Sequence, residues 1–197
     1  MEPQNNLNSA YWSRQYLSGR QGWDIGYPSP AIKAYLDQLT NKNLRILLPG
    51  AGKGWEAGYA FREGFSQVYY LDFSPLAVKA FKNIYPEFPE ENILGTDFFS
   101  LSATFDLIIE QTFFSSLPRS KRNEWADKCY NLLAKGGKIA GLLFNHEFIF
   151  DGPPFGGSPK EYLGLLETGF EILTFETAYN SIKPRSEREI FFIVRKK

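Results

Sequence analysis

Several short stretches of this sequence carry residues whose types and spacing could do chemistry. The first is Gly50-x-Gly52-x-Gly54. A dinucleotide fingerprint, G-x-G-x-x-G, would need glycine where Trp55 stands. A P-loop would need glycine in place of Leu47 and Ser or Thr in place of Gly54. The loop therefore lets backbone approach a ligand but carries neither phosphate signature. Backbone N–H groups at a helix start favour a small anion such as a carboxylate. Asp72 follows about twenty residues later, where a strand-end carboxylate can accept from both hydroxyls of a ribose. Asp97-Phe98 offers an acceptor for an exocyclic amine and an apolar face for a ring. Glu110-Gln111 and Asn145-His146 complete the set. A tight turn, a helix cap and a turn aspartate are the plain alternatives for Gly50–Gly54, Asp72 and Asp97. Ser74 already supplies the cap that Asp72 would provide.

These residues gain meaning from the elements that must hold them. Leu44–Leu48 is an apolar run stopped by Pro49-Gly50, as a buried strand would be, and Val68–Leu71 is a second. Glu91–Leu94 is a weaker third, Phe105–Glu110 (FDLIIE) a strong fourth and Lys138–Phe144 a fifth. Between them lie helical patterns over Gly54–Glu63, stopped by Gly64, and over Pro118–Leu133, with Trp125, Cys129, Leu132 and Leu133 inward and Gly136 beyond its end. Ser29-Pro30, Ser74-Pro75 and Ser158-Pro159 each read as an N-cap followed by proline at the first helical position. Phe170–Phe175 and Ile190–Val194 are joined by polar residues without helical period, so they are expected to pair antiparallel.

Strands that alternate with helices imply a parallel sheet covered on both faces. Its strands, buried on both sides, read as continuous apolar runs, as FDLIIE does. The expected fold is α/β and Rossmann-like: a mostly parallel seven-stranded sheet with helices on both faces and a C-terminal antiparallel hairpin. Ligands of such sheets bind at the carboxyl ends of the strands. Every residue singled out above follows or ends a strand. Residues 1–40 form an aromatic-rich extension before the first strand that could cover this edge. The order and spacing describe an adenosine site with a carboxylate-bearing tail and no phosphates, which S-adenosylmethionine fits.

The chain also resembles the thiopurine S-methyltransferase superfamily of class I methyltransferases, most closely its thiol and halide methyltransferase branch. The resemblance runs through Trp12-Ser-Arg-Gln-Tyr16, Gly22-Trp23-Asp24-Ile25-Gly26, Leu47–Gly54, Leu71-Asp72-Phe73-Ser74, Phe105–Glu110, Leu132–Gly137 and Gly152-Pro153-Pro154-Phe155. It implies a cofactor site made by Trp12, Tyr16 and Trp23 with Gly50, Gly52, Asp72, Asp97, Phe98 and Glu110. Glu110, which would hold the cofactor's ammonium, stands where plant relatives carry aspartate. The same resemblance puts 145–151 beside the acceptor pocket and gives Phe155 in place of a common tyrosine. Phe113, Phe114, His146 and Phe155 are the acceptor-pocket candidates. A solvent-exposed or hydrogen-bonded histidine is the simpler reading of His146, and plain core packing stays open beside a pocket wall for Phe113 and Phe114 alike.

Composition bounds the rest. The 197 residues suit one domain, 1–197. With 22 basic and 22 acidic residues, no general nucleic-acid binder is expected. The single cysteine, Cys129, excludes an intrachain disulfide, and together with the single histidine it excludes zinc sites built from several such ligands. Met1–Asn6 shows no leader pattern and no run approaches a membrane span, so a cytoplasmic monomer or small homo-oligomer is expected. Tyr179-x-x-x-Lys183 has the spacing of a short-chain dehydrogenase pair, but Pro184 disfavours the helix that pair needs. The expected activity is methyl transfer from S-adenosylmethionine to a small soft nucleophile: a thiol or hydrosulfide, with halide or an aryl thiol in the same class. Methylation of oxygen or nitrogen on a small metabolite, and cofactor binding without turnover, stay open.

Overall fold

A computed structural model describes residues 7–197. Met1–Asn6, on which the absence of a leader pattern was read, lie outside them. The first strand, β1 (Arg45–Pro49), sends Ile46 and Leu48 into one hydrophobic core and Leu47 into another. The same division runs through β4 (Phe105–Gln111), where Leu107 and Ile109 oppose Ile108, and β5 (Leu133–Phe144), where Ala140 and Leu142 oppose Ile139 and Leu143. Side chains alternate across a strand, so apolar residues at every position need cover on both faces. Helices α2 (Pro30–Asp37), α3 (Trp55–Arg62) and α4 (Pro75–Ile84) contribute to the first core. Helices α5 (Phe113–Ser116), α6 (Arg122–Leu132) and α7 (Pro159–Leu166) contribute to the second.

With β2 (Gln67–Leu71), β3 (Ile93–Leu94), β6 (Phe170–Thr177) and β7 (Glu189–Lys196), the sheet has the order β3-β2-β1-β4-β5-β7-β6. The first five strands run parallel, while β7 pairs antiparallel with both β5 and β6. The closing pair is therefore the expected hairpin, with its second strand inserted against β5. The order reverses at β1, so β1, β2 and β4 open their carboxyl ends onto one crevice, as parallel sheets do.

Ser74 and Ser158 cap α4 and α7, accepting from Ala77 N at 3.5 Å and Glu161 N at 3.3 Å. Ser29 precedes α2 without a side-chain cap bond; its N–H donates instead to buried Glu56. Four elements differ from expectation. The helix expected from Pro118 starts at Arg122, after a 3₁₀ turn at Arg119–Lys121. Leu133 already belongs to β5, because it pairs with Phe105 before the ladder resumes at Leu107 and Lys138. The third strand has only two residues, since Glu90–Asn92 forms a 3₁₀ turn. Ser9–Leu17 is a helix, α1, capped by Asn8, within what read only as an extension.

Candidate active site

A cavity of about 770 Å³ opens at the carboxyl ends of the strands. Its size is that of a small-molecule site. The extension supplies one wall. Trp12 and Tyr16 are four residues apart on α1, hence on one helix face, and both meet Trp23 edge-on, at 5.4 and 6.0 Å between ring centres. The wall is tied down by polar contacts. Ser9 Oγ donates to Phe73 O at 2.9 Å, and Ser13 and Ser74 hydroxyls lie 2.9 Å apart. Asp24 accepts from Trp55 Nε1 at 2.7 Å and pairs with Lys53 at 2.7 Å, joining Gly22-Trp23-Asp24 to the glycine loop. Arg185, in the β6–β7 connection, donates to Trp23 O at 3.0 Å.

Gly50 forms the floor. Its φ of +56° favours glycine, and a Cβ there would lie 2.3 Å from the Phe113 ring, so close backbone approach is built in. Gly52 does not line the cavity. Its N–H donates to Asp72 Oδ2 at 3.0 Å, and Tyr16's hydroxyl stands beside it. Asp72 does line the cavity, just past β2, with Oδ1 accepting from Ser74 N at 2.8 Å. Burial lifts its carboxyl to about 6 against the pull of these backbone bonds, leaving it ionised at neutral pH. Each oxygen keeps a further lone pair, so the carboxylate is fixed and still able to accept. Asp97 accepts from Phe99 N at 3.1 Å, and Phe98 packs edge-on against Phe113 at 5.1 Å; all four line the cavity.

Glu110 is a correction. It is wholly buried and does not line the cavity. Its Oε1 accepts from Phe114 N at 2.8 Å, its Oε2 has no partner, and burial raises its carboxyl to about 8. The expected contact with a cofactor's ammonium would need this carboxyl ionised and open to the cavity, and it is neither here. The next residue, Gln111, points the other way and lines a small adjoining cavity of about 40 Å³ with Trp23, Asp24 and Gly50. Thr112 then adopts φ +62° on the cavity wall, a conformation that costs on the order of 1–3 kcal/mol and tends to gather at functional sites.

The acceptor candidates divide. Phe113 lines the cavity. Phe114 is core, edge-on to Trp125 at 4.8 Å. Phe155 is buried away from the cavity, its N–H donating to Ser115 O at 2.7 Å, while Pro153 and Pro154 reach the wall. His146 lines the cavity but is neither exposed nor satisfied: both ring nitrogens are buried without a hydrogen-bond partner. An unmet buried polar group costs about 1–3 kcal/mol. Cys129 is buried, and burial lifts its thiol well above the ordinary value, as an inert core residue requires. Tyr179 is exposed and Lys183 opens a 3₁₀ turn, so the dehydrogenase-like pair is absent from any α-helix. Phe148, within the stretch 145–151 expected beside the acceptor pocket, does line the cavity, whereas sequence reasoning missed α1 as a helix, the Asp24 clasp and the lining residues Arg185 and Arg188. The i,i+4 spacing of Trp12 and Tyr16 was the available signal for the first. The last two lie in a connection without periodicity, which gives no signal.

Among the described residues, no helix is long and apolar enough to cross a membrane, and no group of three or more His, Cys, Asp or Glu side chains could hold a metal ion. The thiopurine S-methyltransferase (TPMT) family matches residues 7–195. The chain is 30% identical over 188 residues to the probable thiol methyltransferase 2 of Arabidopsis thaliana, spanning 92% of this chain and 83% of that protein. It is 28% identical over 185 residues to thiocyanate methyltransferase 1 of Brassica oleracea, spanning 90% and 81%. Among solved structures, the Burkholderia thailandensis 1,6-didemethyltoxoflavin-N1-methyltransferase, with 1,6-didemethyltoxoflavin and S-adenosylhomocysteine bound, superposes with a TM-score of 0.75. That match has 17% identity and covers 97% of this chain and 88% of the other, a likeness of fold.

Proposed function

This chain belongs to the thiopurine S-methyltransferase family, and we propose that its cavity brings S-adenosylmethionine together with a small thiol or hydrosulfide and passes the methyl group to sulfur. The enzyme is an S-adenosylmethionine-dependent methyltransferase acting on a small molecule. Halide and aryl thiols are the neighbouring acceptors of the same soft class.

One observation carries the reading. The cavity has carboxylates at its β2–β3 end, aromatic rings around its middle and a glycine floor, and its glycine loop carries no phosphate signature. The residues fit the cofactor. Asp72, pinned by two backbone N–H groups, would accept from the ribose hydroxyls. Asp97 would take the adenine's exocyclic amine and Phe98 its ring face. Gly50 lets the backbone come close. Trp12, Tyr16 and Trp23 offer faces to a cation that has no hydrogen-bond donors. When bound, the cofactor supplies an electrophilic methyl group on a sulfonium.

The chain's own residues then do three things. They hold the two sulfurs in line, which supplies much of the acceleration. They exclude water from an anionic acceptor, a term that matters because charge is neutralised as the methyl moves. They leave deprotonation to solution, since part of a thiol pool is thiolate near neutral pH. We also propose that 1–40 serves as the cover of the cofactor half of one domain, and that one copy of the chain suffices. A radiolabelled methyl-transfer screen against hydrosulfide, alkyl thiols, aryl thiols and iodide tests the reading. Transfer to sulfur is expected. Transfer only to oxygen or nitrogen acceptors, or cofactor binding with no transfer at all, would overturn it.

A further inference from the structure

His146 follows β5 directly, two strands away from β1 and its glycine loop and on the opposite side of β1 from Asp72. It therefore belongs to the end of the cavity that the cofactor-binding candidates leave free. Its backbone is rigidly set: Gly157 N donates to His146 O at 3.1 Å, and a Cβ on Gly156 would lie 1.8 Å from that oxygen. Its ring is fixed between Phe144, at 5.6 Å and 81°, and Phe148, at 4.6 Å and 57°. The wall beside it is Phe144, Phe148, Pro153 and Pro154. Within this apolar surface sits an imidazole with both nitrogens buried and neither bonded. Of the charged groups nearby, Arg185 pairs with Glu189 at 3.5 Å and holds Trp23 O, Glu189 accepts from Ser181 Oγ at 2.7 Å, and Arg188 is an exposed cation on the same cavity wall. A polar group locked into an apolar wall without a protein partner is expected to have its partner in a ligand.

We propose that His146 is the acceptor-docking residue: as the acceptor enters against Phe148, a covered ring N–H of His146 is opened to the cavity and donates to the acceptor sulfur, while Phe144, Phe148, Pro153 and Pro154 take the apolar body of an organic thiol. The inference rests on the reading of the enzyme as a sulfur methyltransferase and specifies how that acceptor is held. In the step, a thiolate lone pair forms the new sulfur–methyl bond as the sulfonium–methyl bond breaks, its electrons staying on the departing sulfur. His146 keeps its proton throughout; the thiol loses its own to water. A donor to the thiolate holds the ground state more firmly than a transition state in which the sulfur's charge is being neutralised, so it acts on binding: it lowers KM and does not raise kcat.

The chain has one histidine, so labelled imidazole nitrogens report on this residue alone. The experiment adds benzyl mercaptan to the enzyme saturated with S-adenosylhomocysteine and follows the ¹⁵N resonances of His146. One of them is expected to shift as the donor engages sulfur. In steady state, His146→Phe, which keeps the aromatic shape, is expected to raise KM for benzyl mercaptan roughly 10- to 150-fold, the range for a lost hydrogen bond to a charged group. His146→Gln, which restores a donor, should recover most of that loss. Calorimetric affinity for S-adenosylhomocysteine should stay within about twofold in both. Unmoved resonances, or an unchanged KM in His146→Phe, would overturn the docking role while leaving methyl transfer to sulfur intact. A fall in kcat with KM held would overturn it in favour of proton abstraction. No transfer to any thiol by the unaltered enzyme would instead overturn the function on which the inference rests.

Discussion

Asp72 and Glu110 end the two strands that flank β1, and both read from sequence as cofactor contacts. Their surroundings set them apart. Asp72 stands one residue past its strand, at the cavity, with both oxygens met by backbone N–H groups. Glu110 stands one residue inside its strand, wholly buried, with one oxygen met and one unmet. Desolvation prevails at both and backbone hydrogen bonds to the charged form offset it in part: the Asp72 carboxyl rises to about 6 and the Glu110 carboxyl to about 8. Near neutral pH one is an anion aimed at a ligand, the other a neutral acid inside the fold. Position along the strand separates a carboxylate that lines the cavity from one that packs inside the fold.

The largest effect that would test this contrast is on stability. Glu110 is protonated in the folded chain up to about pH 8 and ionised in the unfolded chain above about 4.5. Between those values folding takes up a proton, so stability falls as pH rises through the window, and below it the contribution vanishes. Glu110→Gln removes the ionisation and keeps the acceptor for Phe114 N. It should stabilise the protein by on the order of 3 kcal/mol near pH 7, and by nothing near pH 4, since each pKa unit is worth about 1.4 kcal/mol. Melting curves across this range read it. A melting-temperature difference that is flat with pH would overturn the reading of Glu110 as a neutral acid in the folded chain.

The mirror experiment is Asp72→Asn, which keeps one backbone contact and removes the charge. Affinity for S-adenosylhomocysteine should drop roughly 10- to 150-fold, from the loss of about 1.5–3 kcal/mol in charge-assisted hydrogen bonds. Calorimetry on the folded variant checks this, and an unchanged affinity would remove Asp72 from the cofactor site. A smaller effect follows from pH in the unaltered protein. Because Asp72 binds as the anion, affinity should be level above pH 7. It should weaken toward roughly tenfold per unit below about 6. Titrations at three pH values separate this from a pH-independent site.

The smallest expected change sharpens the contrast in dynamics. Trp12, Tyr16 and Trp23 close the cavity beside Asp72, so amide exchange over 7–26 should slow when S-adenosylhomocysteine is added, as a cover that excludes water requires. The core strand carrying Glu110 should show no such response. Equal exchange over 7–26 with and without ligand would make the extension a packing element only.

Much of the architecture was legible without coordinates. The apolar runs of β1, β2, β4 and β5, the caps Ser74 and Ser158, and the glycine at 50 follow from local rules: strand alternation, capping and the conformational freedom of glycine. Those rules act over a few residues and survive wherever tertiary contacts agree with them. They put Asp72 at a strand end and therefore at the sheet's ligand edge.

Other features needed the assembled fold. A strand buried on both faces is apolar at every position, so FDLIIE hides which face Glu110 takes; only the packing against Cys129 and α6 decides it, and sends Gln111 the other way. The ladder between β4 and β5 also shifts register between Phe105 and Leu107, which no local pattern announces. The insertion of β7 against β5 and the clasp of Asp24 on Lys53 and Trp55 join residues far apart in sequence. So does the aromatic seat that leaves His146 unpartnered: it depends on Gly156 and Gly157 closing back onto its carbonyl. Sequence determined the strands, the glycine loop and the class of ligand its spacing suits. Tertiary structure decided which carboxylate lines the cavity, which is buried, and that His146 stands on the wall unpartnered, because burial and pairing are properties of the whole sheet.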